Sequence, residues 1–327
     1  MKRLLSPDSC PETPAVLSET RKKAERPKNI YLIMKAVGGM YWSRLGFGAI
    51  EAGRDLGAEV LINGIPGELR IEDQIRLLRN AVSARVDAIM IGVADSKTEV
   101  FEVERAYDAG IPVILVDTMV ETEKYSAAIL TDNREAGRLA AKELIRLLKG
   151  KETPEDKAGT VAMQIGTAAS QTHNQRIIGF ESYWAANAPQ NWKLLLDDMK
   201  VNGGDVRKAV AISQYFLTAY PDLIAVFAPN NNSTVGFVEA LEEKDRTDIT
   251  MVGFDLSWGM ERMIRSEKFN VSTILQKPYM MGYDGVRAAL DIIAGKNPPE
   301  KIINVEVMIV NAANVDSEEI QKAANGK

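Results

Sequence analysis

Met251-Val-Gly-Phe-Asp-Leu-Ser-Trp258 decides the fold. Met251 to Phe254 are apolar or small and read as a strand buried on both faces, with Asp255 at its carboxyl end. Ser257 then serves as an N-cap for the helical pattern that begins at Trp258. The same layout recurs at Val113-Ile-Leu-Val-Asp117 and at Ala225-Val-Phe-Ala-Pro-Asn230. Ligands of open α/β sheets bind outside the carboxyl ends of the strands. Three strands ending in a hydrogen-bonding side chain therefore predict a polar pocket at Asp117, Asn230 and Asp255.

Working outward, apolar runs alternate with helical patterns along most of the chain. Strands are predicted at 29–34, 58–63, 88–93 and 111–117, with helices at 41–56, 71–86 and 97–109 between them. A second series follows the strand at 127–131. Asp132 is placed to cap a helix over 133–149, and strands at 160–166, 192–199, 223–228, 249–254 and 270–276 alternate with further helices. A last helix over 279–294 stops at Gly295, and one closing strand over 302–310 precedes a polar tail at 317–327. This alternation implies parallel sheets with helices on both faces, joined by right-handed crossovers. Two such series suggest two lobes of like topology, not contiguous in sequence and without a residue-level repeat.

The length of 327 residues fits two domains of roughly 100–150 residues each. The net charge of −5, with basic residues scattered, argues against nucleic acid as a partner. One cysteine, Cys10, and one histidine, His173, leave no disulfide and no spaced metal-ligand set, so neither a metal nor a cofactor is expected. No run approaches the ~20 apolar residues that span a bilayer. Residues 1–27 read as a polar leader with a basic start and no apolar h-region. A cytoplasmic protein, or one whose export signal is missing from this sequence, would look this way. Cys10 could mark a lipid anchor, but Ser6-Pro7-Asp8-Ser9 matches such a site poorly.

The candidate residues share one chemistry. Carboxylates and carboxamides hydrogen-bond vicinal hydroxyls, and charge-assisted bonds are the stronger ones. Any one strand-end Asp or Asn could merely cap the next helix; three together favour a site. Tyr41-Trp42 follows a Gly38-Gly39 turn, and aromatic faces stack on the C–H surface of sugar rings. Neighbours on a helix diverge by about 100°, so both rings are not expected to face one core. Trp258 is a further aromatic candidate. Gly166 to Arg176 is a polar loop opening a helix, without the Lys-Ser/Thr ending of a phosphate-binding loop. His173 is expected at the surface, with no nucleophile motif beside it. Arg176 is expected in a structural ion pair.

Taken in order, several stretches resemble the ribose-type periplasmic binding proteins, the type I solute receptors of ABC transporters, related to lactose-repressor-type effector domains. They are Met40-Tyr-Trp-Ser-Arg-Leu-Gly-Phe-Gly-Ala49, Ala109-Gly-Ile-Pro-Val-Ile-Leu-Val-Asp117, Leu130-Thr-Asp-Asn-Arg-Glu-Ala-Gly137, Gln175-Arg-Ile-Ile-Gly-Phe180, Tyr220-Pro-Asp-Leu-Ile-Ala-Val-Phe-Ala228 and Val252-Gly-Phe-Asp255. The resemblance implies two Rossmann-like lobes joined by three hinge crossovers, with a sugar clamped between them. It assigns about 28–131 plus 277–304 to one lobe and 132–276 plus 305–316 to the other. Its stacking aromatics fall on Tyr41 and Trp42, and its hydroxyl-binding residues on Asp117, Asn230, Asp255 and Gln276.

The departures are also informative. Thr118 and Asn174 stand where the family places arginines, and Gly92 and Gly39 where it places asparagines; a third aromatic is lost near Gly204. Asp117 and Asp255 then lack compensation from those positions. That points away from ribose, toward a bulkier sugar, a polyol, a cyclitol or a cationic ligand. Asn174 joins the expected ligand set, with Thr118, His173 and Trp258 as additional candidates. The expected function is a non-enzymatic, monomeric, extracytoplasmic receptor, periplasmic or lipid-anchored, that hands a sugar or polyol to an ABC permease or a sensor kinase. A regulatory effector domain is the alternative, although residues 1–27 are too short for a helix-turn-helix with its hinge. An α/β enzyme with two cleft acids is the third reading.

Overall fold

A computed structural model describes residues 26–151 and 158–325. Cys10 and nearly all of the leader lie outside these residues, so the expectation of an anchor there is not addressed by the fold.

The first series comprises β1 (Lys28–Met34), α1 (Met40–Leu56), β2 (Ala58–Gly64), α2 (Ile71–Ala84), β3 (Ala88–Ile91), α3 (Val100–Asp108), β4 (Val113–Val116) and β5 (Ala127–Thr131). The second comprises α4 (Asn133–Gly150), β6 (Gly159–Ile165), α5 (Gln171–Asn187), β7 (Trp192–Leu194), β8 (Lys200–Val201), α6 (Val206–Ala219) and β9 (Leu223–Phe227). It continues through α7 (Asn231–Glu243), β10 (Thr250–Phe254), α8 (Trp258–Arg265) and β11 (Val271–Leu275). The chain ends with α9 (Pro278–Ile293), β12 (Ile302–Val305), β13 (Met308–Val310) and α10 (Glu318–Asn325).

Two sheets result, in the orders β12-β5-β4-β3-β1-β2 and β13-β11-β10-β9-β6-β7. Read strand for strand, β1 corresponds to β6, β3 to β9, β4 to β10 and β5 to β11. Pairings are parallel except that of β13 with β11. The chain passes between the sheets three times, after β5, after β11 and between β12 and β13, which gives the expected three crossovers. The central strands β3, β4 and β10 are buried along their whole length. Side chains alternate across the strands, so Ile30 and Leu32 pack under α1 and α9 while Ile33, Ile89 and Ile91 pack toward α2 and α3.

The caps read from sequence are in place. Asp132 accepts a hydrogen bond from the Glu135 N–H, and Ser257 from the Met260 N–H. Three expectations change. The closing strand over 302–310 is two strands, because Glu306 and Val307 carry the chain from one sheet to the other. The strand over 192–199 is interrupted, and β8 pairs separately with the end of β6. The polar tail contains α10, whose Ile320 and Ala324 are spaced one turn apart and buried in the second lobe's core.

A repeat at the residue level does exist, and it lies in helix crossings. In the first lobe a Cβ on Gly282 of α9 would lie 2.0 Å from the Leu45 carbonyl oxygen of α1. In the second, a Cβ on Gly137 of α4 would lie 2.0 Å from the Arg176 carbonyl oxygen of α5. Each lobe thus seats its crossover helix on the helix after its first strand through a glycine. Gly282→Ala forces α1 and α9 apart and is expected to cost about 1–3 kcal/mol. An unchanged urea midpoint would show that the contact relaxes freely.

Candidate ligand-binding site

Asp117 and Asp255 occupy equivalent positions, just beyond the corresponding strands β4 and β10 of the two lobes. Both have left-handed backbones, with φ of 66° and 64°. Their N–H groups donate to the corresponding neighbours, Asp117 to the Ile129 carbonyl at 3.1 Å and Asp255 to the Ile274 carbonyl at 2.8 Å. Non-glycine residues adopt this conformation infrequently, and such strain gathers at functional sites. Here it occurs twice, at the two carboxylates read from sequence.

Both acids line one cavity of about 280 Å³ between the lobes. Lys35, Tyr41, Trp42, Glu68 and Asp117 face it from the first lobe, and Thr172, His173, Arg176, Asn230 and Asp255 from the second, with Gln276 at a crossover. The lobes are in contact around it. The Thr172 hydroxyl donates to the Asp117 carbonyl at 3.1 Å, the Gln171 N–H to Ser96 Oγ at 3.1 Å, and the Ser96 N–H to the Ala169 carbonyl at 3.2 Å. This is a closed cleft.

The two carboxylates differ in their electrostatics. Asp117 accepts from the Tyr41 hydroxyl at 2.6 Å and the Thr118 hydroxyl at 2.6 Å, and Lys35 Nζ lies 2.9 Å from its Oδ2. Burial by itself would raise its pKa, but Lys35, Arg176 and these hydroxyls outweigh it and hold the group at about 2. Asp255 accepts from Gln276 Nε2 at 3.0 Å. Burial dominates there and pushes it up to about 6, with Arg176 and Gln276 opposing only in part. Burial and the nearby Asp117 carboxylate likewise raise the Tyr41 hydroxyl, which stays protonated and donating.

A pH dependence follows from Asp255. With a pKa of about 6, the carboxylate is mostly ionised at pH 7 and mostly protonated at pH 5. If the anion accepts the ligand's hydroxyl protons, affinity falls on acidification, by roughly tenfold between pH 7 and pH 5. Calorimetric titrations at both values check this, and Asp255→Asn is expected to flatten the profile.

The structure brings Tyr41, Trp42, Asp117, Asn230, Asp255, Gln276 and His173 together. Asn230 both caps and lines: its Oδ1 accepts from the Ser233 N–H while the residue faces the cavity. Thr118 sits behind Asp117, fully buried, and accepts from Lys35 Nζ at 2.8 Å. His173 is buried rather than superficial, because α5 turns it inward against the 166–170 loop. Like Thr118, two further candidates do not line the cavity. Asn174 is exposed and donates to the Ala168 carbonyl, and Trp258 is 76% exposed on the first turn of α8, outside the cavity.

Tyr41 and Trp42 are both buried, contrary to the argument from helical divergence. They pack edge to face with centroids 5.2 Å apart, between the first lobe's core and the cavity. The indole fills the space that Gly92 leaves: a Cβ there would lie 2.7 Å from the Trp42 ring.

The missing compensation is also supplied, from Lys35, which sequence reasoning passed over, and from Arg176, which it assigned to an ion pair. Lys35 pairs with Asp117. Arg176 is wholly buried and has no carboxylate within ion-pairing distance among the described residues, so the expected structural ion pair is absent. It donates to Asn133 Oδ1 at 2.8 Å, the Pro229 carbonyl at 2.7 Å and Gln276 Oε1 at 2.8 Å, with its guanidinium 4.1 Å from the Phe254 ring centroid.

Two α/β lobes closed over a polar cavity, with opposed carboxylates and a buried aromatic pair, define a hinge-closing solute receptor. The chain belongs to the periplasmic binding protein family: the periplasmic binding protein domain matches residues 30–297. It is 26% identical over 310 residues to the D-ribose/D-allose-binding protein of Pseudomonas aeruginosa, covering 91% of this chain and 92% of that protein. Among solved structures it is similar to a carbohydrate transporter solute-binding protein from Agrobacterium radiobacter in complex with D-arabinose. That match has a TM-score of 0.86 and 28% identity over 91% of this chain and 99% of the other. An ABC transporter solute-binding protein from Agrobacterium vitis with bound D-fucose matches with a TM-score of 0.83 and 27% identity, covering 90% and 98%. Membership places the protein among extracytoplasmic receptors; among the described residues no helix is long and apolar enough to cross a membrane.

Proposed function

We propose that this protein is an extracytoplasmic receptor that closes around one monosaccharide or polyol and delivers it to an ABC permease. The observation that carries the reading is the meeting of Asp117 and Asp255, one from each lobe, in a single closed cavity walled by Tyr41 and Trp42. Asp255 accepts from ring hydroxyls and the Asn230 amide nitrogen donates to them, the aromatic pair meets the apolar face of the sugar, and Lys35 and Arg176 hold the site's charge balance. Contacts from both lobes give the ligand a higher affinity for the closed form, which is what shifts an open–closed equilibrium. The permease then reads the closed shape.

Binding without turnover is supported by the likeness to binding proteins and by the engagement of Asp117, whose protein donors hold it ionised. One copy suffices, because a single chain supplies both walls. The protein acts free in the periplasm or held by a lipid; partition of the native protein into detergent on phase separation decides between these. Native mass spectrometry of freshly purified protein tests the main reading. A copurifying mass of one pentose, hexose or polyol is expected, and recovery of an amino acid instead would refute the sugar assignment.

A further inference from the structure

The connection between β2 and α2 carries Glu68, an acid with no role in the pairs described above. It is 6% exposed, lines the cavity, and its Oε2 has no hydrogen-bond partner among the described residues. The nearest basic nitrogen is His173 Nδ1 at 3.9 Å, beyond hydrogen-bond reach. Burial lowers the pKa of His173, with Lys35 and Arg176 adding to the effect against the pull of Glu68, so the imidazole is neutral and does not neutralise the acid. A buried acceptor left without a donor is costly and calls for a partner.

The surroundings make room for this carboxylate. A Cβ on Gly166 would lie 2.8 Å from Glu68 Oε2, and one on Gly204 would lie 3.5 Å from Glu68 Cγ. Both glycines belong to the second lobe, whereas Glu68 belongs to the first. The acid therefore meets a ligand and the opposite lobe together only when the cleft is closed.

We propose that Glu68 is a specificity-determining ligand contact, whose carboxylate accepts a hydrogen bond from a sugar hydroxyl at the end of the cavity near Gly166 and Gly204. The ligand class is narrowed to sugars that present a hydroxyl there; analogues with hydrogen or a methyl group at that carbon leave the acid unpartnered and bind more weakly. The proposal rests on the sugar-receptor reading.

The test is calorimetric titration of the full chain and of Glu68→Ala with D-ribose, D-allose, D-arabinose and D-galactose, and with the monodeoxy analogues of whichever binds tightest. For the wild type, one monodeoxy analogue is expected to bind roughly tenfold or more weakly than its parent. In Glu68→Ala that particular penalty vanishes while the other analogues keep theirs, an outcome that a merely structural acid does not produce. Should Glu68→Ala fail to fold, the isosteric Glu68→Gln decides. Its neutral oxygen still accepts, so the same penalty shrinks by about threefold or more. Unchanged penalties for every analogue in a variant that still binds the parent overturn this inference and leave the receptor reading standing. Failure of the wild type to bind any monosaccharide or polyol overturns both.

Discussion

Asp255→Ala is expected to reduce sugar affinity at least a hundredfold. The carboxylate enters the cavity from the second lobe, and Gln276 occupies only its Oδ1 among the described residues, which leaves acceptor capacity for the ligand. Hydrogen bonds to a charged group contribute roughly 1.5–3 kcal/mol each, and two of them correspond to about 10²–10⁴ in affinity. Folding should not suffer. Burial raises the pKa of Asp255 to about 6, above the ~3.9 of an unfolded aspartate. Its contribution to stability is therefore full below about pH 4 and lost as pH rises through about 6. At pH 7 the buried anion opposes folding, so the alanine variant should unfold no earlier than the wild type. Calorimetric titration together with urea unfolding separates the two effects. Retained affinity with lowered stability would assign Asp255 to the scaffold.

Lys35→Met is expected to have the larger effect on stability. Lys35 and Asp117 are almost completely buried, 2.9 Å apart, and removing one member of such a pair costs about 3–5 kcal/mol because the other remains charged and unpaired. The pH dependence has the opposite sign to that of Asp255. Asp117 is held at about 2, below its unfolded value, so its stabilisation is present above about pH 4 and is lost as pH falls through about 2. The difference between wild type and Lys35→Met should thus be greatest near neutrality and shrink in acid. Adding Asp117→Asn removes the stranded charge and should restore much of the loss. A single variant within about 1 kcal/mol of the wild type at pH 7 would mean that water reaches the pair.

The fold was legible because buried parallel strands are near-continuous apolar runs, and Met251 to Phe254 or Val113 to Val116 have no other easy reading. The strand-end acids were legible for the same reason. What sequence could not show were contacts between side chains far apart along the chain. Lys35 is one of 40 lysines and arginines, and only the approach of β1 to the end of β4 brings it to Asp117. Asn174 and Arg176 stand two apart on α5, about 200° around the helix, so one faces solvent and the other the cavity. A shift of two residues, about half a turn, in reading that helix exchanges them. Trp258 follows Asp255 closely in sequence, yet the left-handed turn at Asp255 and the cap at Ser257 send the chain away from the cleft. Glu68 lies in a loop without a motif, where its unpartnered oxygen is the only signal.

Titration calorimetry of the wild-type chain against D-ribose, D-allose, D-arabinose, D-galactose and a set of polyols tests the central claim most directly. A single site per chain for at least one of these ligands, lost in Asp255→Ala, is the predicted result. Heat from none of them, or a site that persists unaltered in Asp255→Ala, would contradict a sugar held between the two lobes.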